Sequence, residues 1–171
     1  MSSERWADLS ELYVNYYQTA KNDHLRAAVM AKTLRAQLAA YLGGESDSVL
    51  MFDYDEETHA YVEESNNPFK AVSMNGEYKW FLGYGVTLER QPNAWPKTNF
   101  QFPVWFTLGE VVTVDTSFGI VEIPTPSTKS IDFSPACEKI YQGIRESLIA
   151  RATKTLRNKT IGFVEFGPDR A

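Results

Sequence analysis

The sequence predicts an α+β fold: a curved, mainly antiparallel sheet of about six to eight strands, packed by N-terminal helices and one C-terminal helix. Three observations carry that expectation. Apolar residues recur at three- and four-residue steps through 1–43, hydrophobicity alternates with a period of two between Ser48 and Ile123, and a helical stripe returns after Ser134. Strands that follow one another without intervening helices disfavour a doubly wound parallel sheet. A chain of 171 residues fits a single domain, 1–171, and a domain of this size buries about 70% of its unfolded surface.

The helical part, 1–43, opens with RWADLSELYVNYYQTA, in which Trp6, Leu9, Tyr13, Tyr16 or Tyr17, and Ala20 make one apolar stripe. Asn22-Asp23 interrupts it, and either residue can cap a second helix, HLRAAVMAKTLRAQLAAYL, stopped by Gly43-Gly44. One helix through the whole region would be ~60 Å long at ~1.5 Å per residue, longer than a small domain is wide. Two packed helices, or one helix shared with a partner chain, are therefore expected. Tyr13, Tyr16 and Tyr17 do not all fit one buried stripe, which makes this part a candidate homodimer surface.

Between 48 and 123 turn residues divide the chain into antiparallel strands. Asn75-Gly76, between FKAVSM and EYKWFLGYGVTLE, reads as a two-residue type I′ hairpin. Further hairpins are expected at Glu56-Glu57-Thr58, joining VLMFDYD to HAYVEE, and at Thr116 to Gly119, joining EVVTV to GIVEI. In FQFPVWFTL, Pro103 indicates an edge strand or a bulge, because proline has no N–H to give a ladder. PTPSTKS connects to a helix over 134–157, with Ser134 as N-cap, Pro135 at the first helical position and a stripe of Cys137, Ile140, Tyr141, Ile144 and Leu148. A final strand is expected at 160–166.

Charge and composition exclude more than they identify. The net charge of −5 disfavours a protein built to grip phosphate backbones, whose affinity comes from Lys and Arg; no nucleic-acid partner is expected. The densest basic stretch, Arg145 to Lys159, reads as the solvated side of the last helix. No apolar run approaches the ~18 residues of a membrane span. The acidic, amphipathic start lacks the pattern of a signal peptide, so a cytoplasmic location and no membrane association are expected. The one cysteine, Cys137, permits no intramolecular disulfide, and the sequon at Asn158-Lys159-Thr160 then stays unmodified.

Several stretches imitate chemistry. DYDEETHAYVEE places Asp53, Asp55, Glu57 and Glu64 at positions of a calcium loop, but Thr58 stands where that loop turns on glycine; a hairpin tip with solvated carboxylates fits better. Asp115 and Glu122 on adjacent strands suggest a two-carboxylate magnesium site, yet Pro124 stands where its lysine belongs. His24, His59 and Cys137 are too few for structural zinc. His59 near Asp53 or Asp55 makes a modest acid/base pair at most, and Cys137 reads as a small core residue. Nucleotide loops and a serine-hydrolase elbow are missing. No catalytic residue, metal or cofactor is assigned.

The aromatics carry the functional expectation. Alternation puts Tyr78, Trp80, Leu82 and Tyr84 on one face of a strand and Lys79, Phe81 and Gly83 on the other. One face packs on the helices, while the other lines a cavity or meets a partner. Trp95, in a loop between Pro92 and Pro96, is placed for recognition, with Arg90 and Lys97 beside it. The sequence therefore reads as a noncatalytic binding or accessory protein whose aromatic sheet face or cavity takes a protein partner or a small apolar ligand through Trp80, Tyr84, Arg90, Trp95 and Trp105. The competing reading is a small enzyme with an aromatic pocket and a carboxylate or His59 as acid/base group.

Overall fold

The computed structural model of the chain describes residues 2–92, 94–95, 97–126, 130–152 and 162–166. Its first element, helix α1, runs unbroken from Ser2 to Tyr41. The expected interruption at Asn22-Asp23 does not occur. No proline or glycine lies inside the segment, and the polar pair is tied into the helix by neighbours one turn away. Asp23 meets Arg26 at 3.6 Å, and Asn22 accepts from the Gln18 amide at 3.4 Å. The expected stop does occur: Gly43 adopts φ 72°, Gly43 N–H donates to Ala40 and Gly44 N–H to Ala39, the paired bonds of a Schellman cap.

Eight strands among the described residues form one antiparallel sheet: β1 Val49–Asp55, β2 Ala60–Glu64, β3 Ser73–Met74, β4 Trp80–Leu88, β5 Lys97–Thr107, β6 Val111–Asp115, β7 Ile120–Pro124 and β8 Gly162–Phe166. Their order is β2-β1-β4-β5-β6-β7, with β3 also beside β4 and β8 beside β5. Short helix α2, Pro68–Ala71, and helix α3, Ser134–Ala152, complete the architecture. The α+β reading holds, and the final strand falls within the expected 160–166. The last turns of the expected 134–157 helix, with Lys154, Arg157 and the sequon, lie outside the described residues.

Alternation sorts the sheet into two faces. Val49 and Met51, Trp80, Leu82, Tyr84 and Val86, then Phe100, Phe102, Val104 and Phe106 point toward the helices. Against them α1 supplies Ala27, Met30, Ala31, Leu34 and Leu38, and α3 supplies Ala136, Cys137, Ile140 and Ile144. Helix α1 crosses β1 and β4, and α3 lies by β7. Polar bonds fix the helix along the sheet. The fully buried Tyr84 hydroxyl donates to the Ala31 carbonyl at 2.7 Å, Arg35 Nε to Val49 at 2.6 Å, and Gln37 both donates to Ile131 and accepts from Phe133 N–H at 2.7 Å.

Three local readings change in the structure. Asn75-Gly76 does begin a hairpin, but its loop is longer than two residues: Asn75 N–H bonds to Lys79 O, and Tyr78 carries the positive φ of 59°. The Asn75 side chain accepts from Glu77 and Lys79 N–H at 3.0 and 3.1 Å, an arrangement that asparagine offers and a type I′ turn does not use. The first half of FKAVSM belongs to α2 and only Ser73–Met74 to a strand, since Asn67 caps Phe69 N–H and Pro68 occupies the first turn. Pro103 sits in a central strand, where β8 pairing ends opposite Gln101 and β6 pairing begins opposite Trp105. Its carbonyl accepts from Ser117 on that side, so its missing N–H faces the gap between two neighbours.

Gly143 on α3 is a packing requirement: a β-carbon there would overlap the Phe118 ring. Gly143→Ala should lower the unfolding free energy by about 1–3 kcal/mol, the usual cost of overpacking, read as a shifted urea midpoint with unchanged slope. An unchanged midpoint would show that Phe118 turns aside freely.

Candidate functional site

Burial along α1 begins only near its middle. Every side chain from Glu4 to Thr19 is exposed, including Trp6 at 73% and Tyr13 at 65%. At 100° per residue, Trp6, Leu9, Tyr13, Tyr16 and Ala20 stand on the same helix face as Ala27, Ala31, Leu34 and Leu38. The stripe that the sheet covers thus continues past the sheet as an arm ~24 Å long at ~1.5 Å per residue. Tyr13 and Tyr17 lean together on it, with centroids 6.5 Å apart. At the root, His24 stacks on Trp80 at 5.2 Å and meets the edge of Phe69 at 5.7 Å. Its Nε2 is buried with no hydrogen-bond partner among the described residues.

A second feature occupies the face of the sheet opposite the helices. Tyr54 stands at its centre, with Tyr61 at 5.1 Å, Trp105 at 6.2 Å and Phe81 at 6.4 Å between ring centroids. Tyr61 reaches over Gly83, where a β-carbon would meet its ring at 2.5 Å. These rings bury one another, so the face is not an empty hydrophobic slot. Glu56 closes the cluster, accepting from Trp105 Nε1 at 2.5 Å and from Asn75 at 3.1 Å. Beside it lies an open depression of about 410 Å³, bordered by Glu56, Glu77, Lys79, Trp105 and Asp115. A neighbouring one of about 490 Å³ is bordered by Asp53, Asp55, Glu57, Met74 and Phe81.

Carboxylates and one indole give this rim the chemistry to receive hydrogen-bond donors or cations. Much of it is already committed to turns. Asp55 is held below the ordinary carboxylate value by Thr58, first through its backbone N–H, and by Glu57 N–H. Lys79 pairs with Glu77 at 2.9 Å. Among the described residues no group of three His, Cys, Asp or Glu side chains is placed to hold a metal ion.

The residues expected to bind together are dispersed. Trp80 and Tyr84 lie buried on the helix side, where they seat α1. Trp105 is on the opposite face, and Arg90 and Trp95 belong to the β4–β5 connection. There Lys97 Nζ lies 5.0 Å above the Trp95 ring and 2.7 Å from Glu89; Asn93 and Pro96 are outside the described residues. His59 contacts the Tyr54 hydroxyl at 3.0 Å. Glu122 is registered against Thr113 and Asp115 against Ile120, so the two acids are not direct cross-strand partners. The sequence placed Phe81 and Gly83 on this face but did not join Tyr54, Glu56 and Tyr61 to them, although Gly83 opposite bulky neighbours is the kind of signal that marks a close approach.

No family model, curated protein or solved structure matches the chain. No helix among the described residues is long and apolar enough to cross a membrane.

Burial raises the phenols of Tyr54, Tyr61 and Tyr84 above their ordinary 10.0, with Glu56 and Asp55 adding to the effect at Tyr54. A neutral acid favoured by folding contributes stability below its unfolded value and loses it as pH rises through the folded one. Unfolding midpoints should therefore fall above pH ~10, and spectrophotometric titration should find these phenols ionising last. The Cys137 thiol is pushed up to about 11 by burial. A thiol reagent should modify it slowly in the native protein and at once in denaturant; rapid native labelling would contradict its burial.

Proposed function

We propose that the chain is a noncatalytic binding protein that presents the α1 arm to a protein partner. One observation carries the reading: an apolar stripe continuous with the core stripe runs on for sixteen exposed residues, Glu4 to Thr19. Isolated helices shorter than about 12–15 residues are marginal in water, and helices gain most of their stability from packing an apolar face. Contiguous exposed apolar surface on a soluble protein marks an interaction site, and a helix laid into a groove or against another helix is a recurring recognition mode. A cytoplasmic location suits the single buried cysteine.

The outer sheet face is the secondary surface. Its rings fill their own space, and its depressions are open and acidic, which favours polar contact over capture of a small apolar ligand.

Leu9→Glu combined with Tyr13→Glu tests the reading, because neither side chain joins the buried core. Native mass spectrometry of the chain recovered from cells should find a protein-containing assembly for the unaltered sequence and a bare monomer for the variant. Assemblies indifferent to both substitutions would move the binding surface off the arm. A monomer carrying a small molecule would replace the protein partner with a ligand.

A further inference from the structure

Resting on the arm as a binding surface, we infer that its occupant is the arm of a second copy of this chain, laid antiparallel and centred near Tyr13. The geometry of the stripe selects this arrangement. The arm and the sheet-packed half of α1 present the same face. A second helix lying parallel and in register on the arm would run, beyond Ala20, into Trp80 and the sheet behind it. An antiparallel helix avoids this: its own domain falls beyond the first copy's N-terminus, and the two arms overlap over their exposed length. Trp6 then lies opposite Ala20, large against small, with Tyr13 on the two-fold axis.

Charge points the same way. Residues 2–12 carry Glu4, Asp8 and Glu11 against Arg5, while residues 14–24, which a two-fold axis at Tyr13 sets opposite them, carry Lys21 against Asp23. Antiparallel pairing sets the net negative half against a neutral half; parallel pairing sets the negative half against its own copy. The area is sufficient. Trp6, Leu9, Leu12, Tyr13, Tyr16 and Tyr17 are 57–73% exposed, and at about 150–250 Å² per aromatic side chain the arm offers on the order of 600 Å² per copy. A symmetric pair then buries about 1,200 Å², at the lower bound of the ~1,200–2,000 Å² of stable interfaces. Such a contact is isologous and closes at two copies.

Analytical ultracentrifugation of the purified full chain should give a dimer, and Leu9→Glu with Tyr13→Glu should weaken it by about 100-fold or more, the loss expected at buried hot spots. Orientation is read by oxidative cross-linking of Tyr13→Cys and Trp6→Cys, each made separately, since the native Cys137 is buried. A disulfide needs Cα atoms within about 7 Å. The Tyr13→Cys chains should cross-link. The Trp6→Cys chains should not, because antiparallel pairing holds them ~21 Å apart along the axis. Equal cross-linking at both positions would overturn the antiparallel arrangement. A purified chain that is monomeric at every concentration would overturn self-pairing, while assemblies with other proteins recovered from cells would still uphold the arm as a binding surface. A dimer that survives both glutamates would overturn the two readings together.

Discussion

The structure depends on the burial of one half of one helix. Ala27, Ala31, Leu34 and Leu38 are fully enclosed where α1 crosses β1 and β4, and Tyr84 reaches from the sheet to the helix backbone at Ala31. Arg35 and Gln37 add bonds to β1 and to the segment leading into α3. With α1 fixed in this way, α3 closes the remaining length of the inner face, and the direction of the arm follows with no further freedom. A helix anchored over about three turns carries its register onward into the turns that nothing covers. The exposed stripe is therefore a consequence of the core, aimed by it.

That constraint explains why the proposal rests on the arm and not on the aromatic sheet. The inner face is occupied by the helices. The outer face folds its rings on one another around Tyr54, with Glu56 holding the Trp105 indole. Such a cluster stiffens the β1–β2 hairpin and the β3–β4 loop, but its apolar area is already spent within the domain. The arm spends none of its own.

Much of this was legible in the sequence. The change of period at Ser48, the Gly43-Gly44 stop, the Ser134-Pro135 start and the split of Trp80, Leu82 and Tyr84 from Phe81 all follow from local chemistry. The unbroken α1 was not, because Asn22-Asp23 resembles a cap, and only its placement between intact turns shows that the side chains serve the helix. Pro103 misled for a related reason: a central strand tolerates proline where its neighbours on one side change over, a property of topology. The five aromatic and basic site residues were grouped by type and proximity in the chain. Pleating then sent Trp80 and Tyr84 to one face and Trp105 to the other. Trp6, Leu9, Tyr13 and Tyr16 were recognised as one stripe, yet whether their own domain covered them depended on where the sheet ends.

The central claim is that one continuous stripe on α1 serves two partners, its own sheet over its second half and an external surface over its first. Amide hydrogen exchange along α1, measured over a range of protein concentrations, tests it most directly. The account predicts strong, concentration-independent protection for residues 27–38 and protection of residues 4–19 that rises with concentration. Equal and concentration-independent protection along the whole helix would contradict it, because the arm would then already be covered by its own chain.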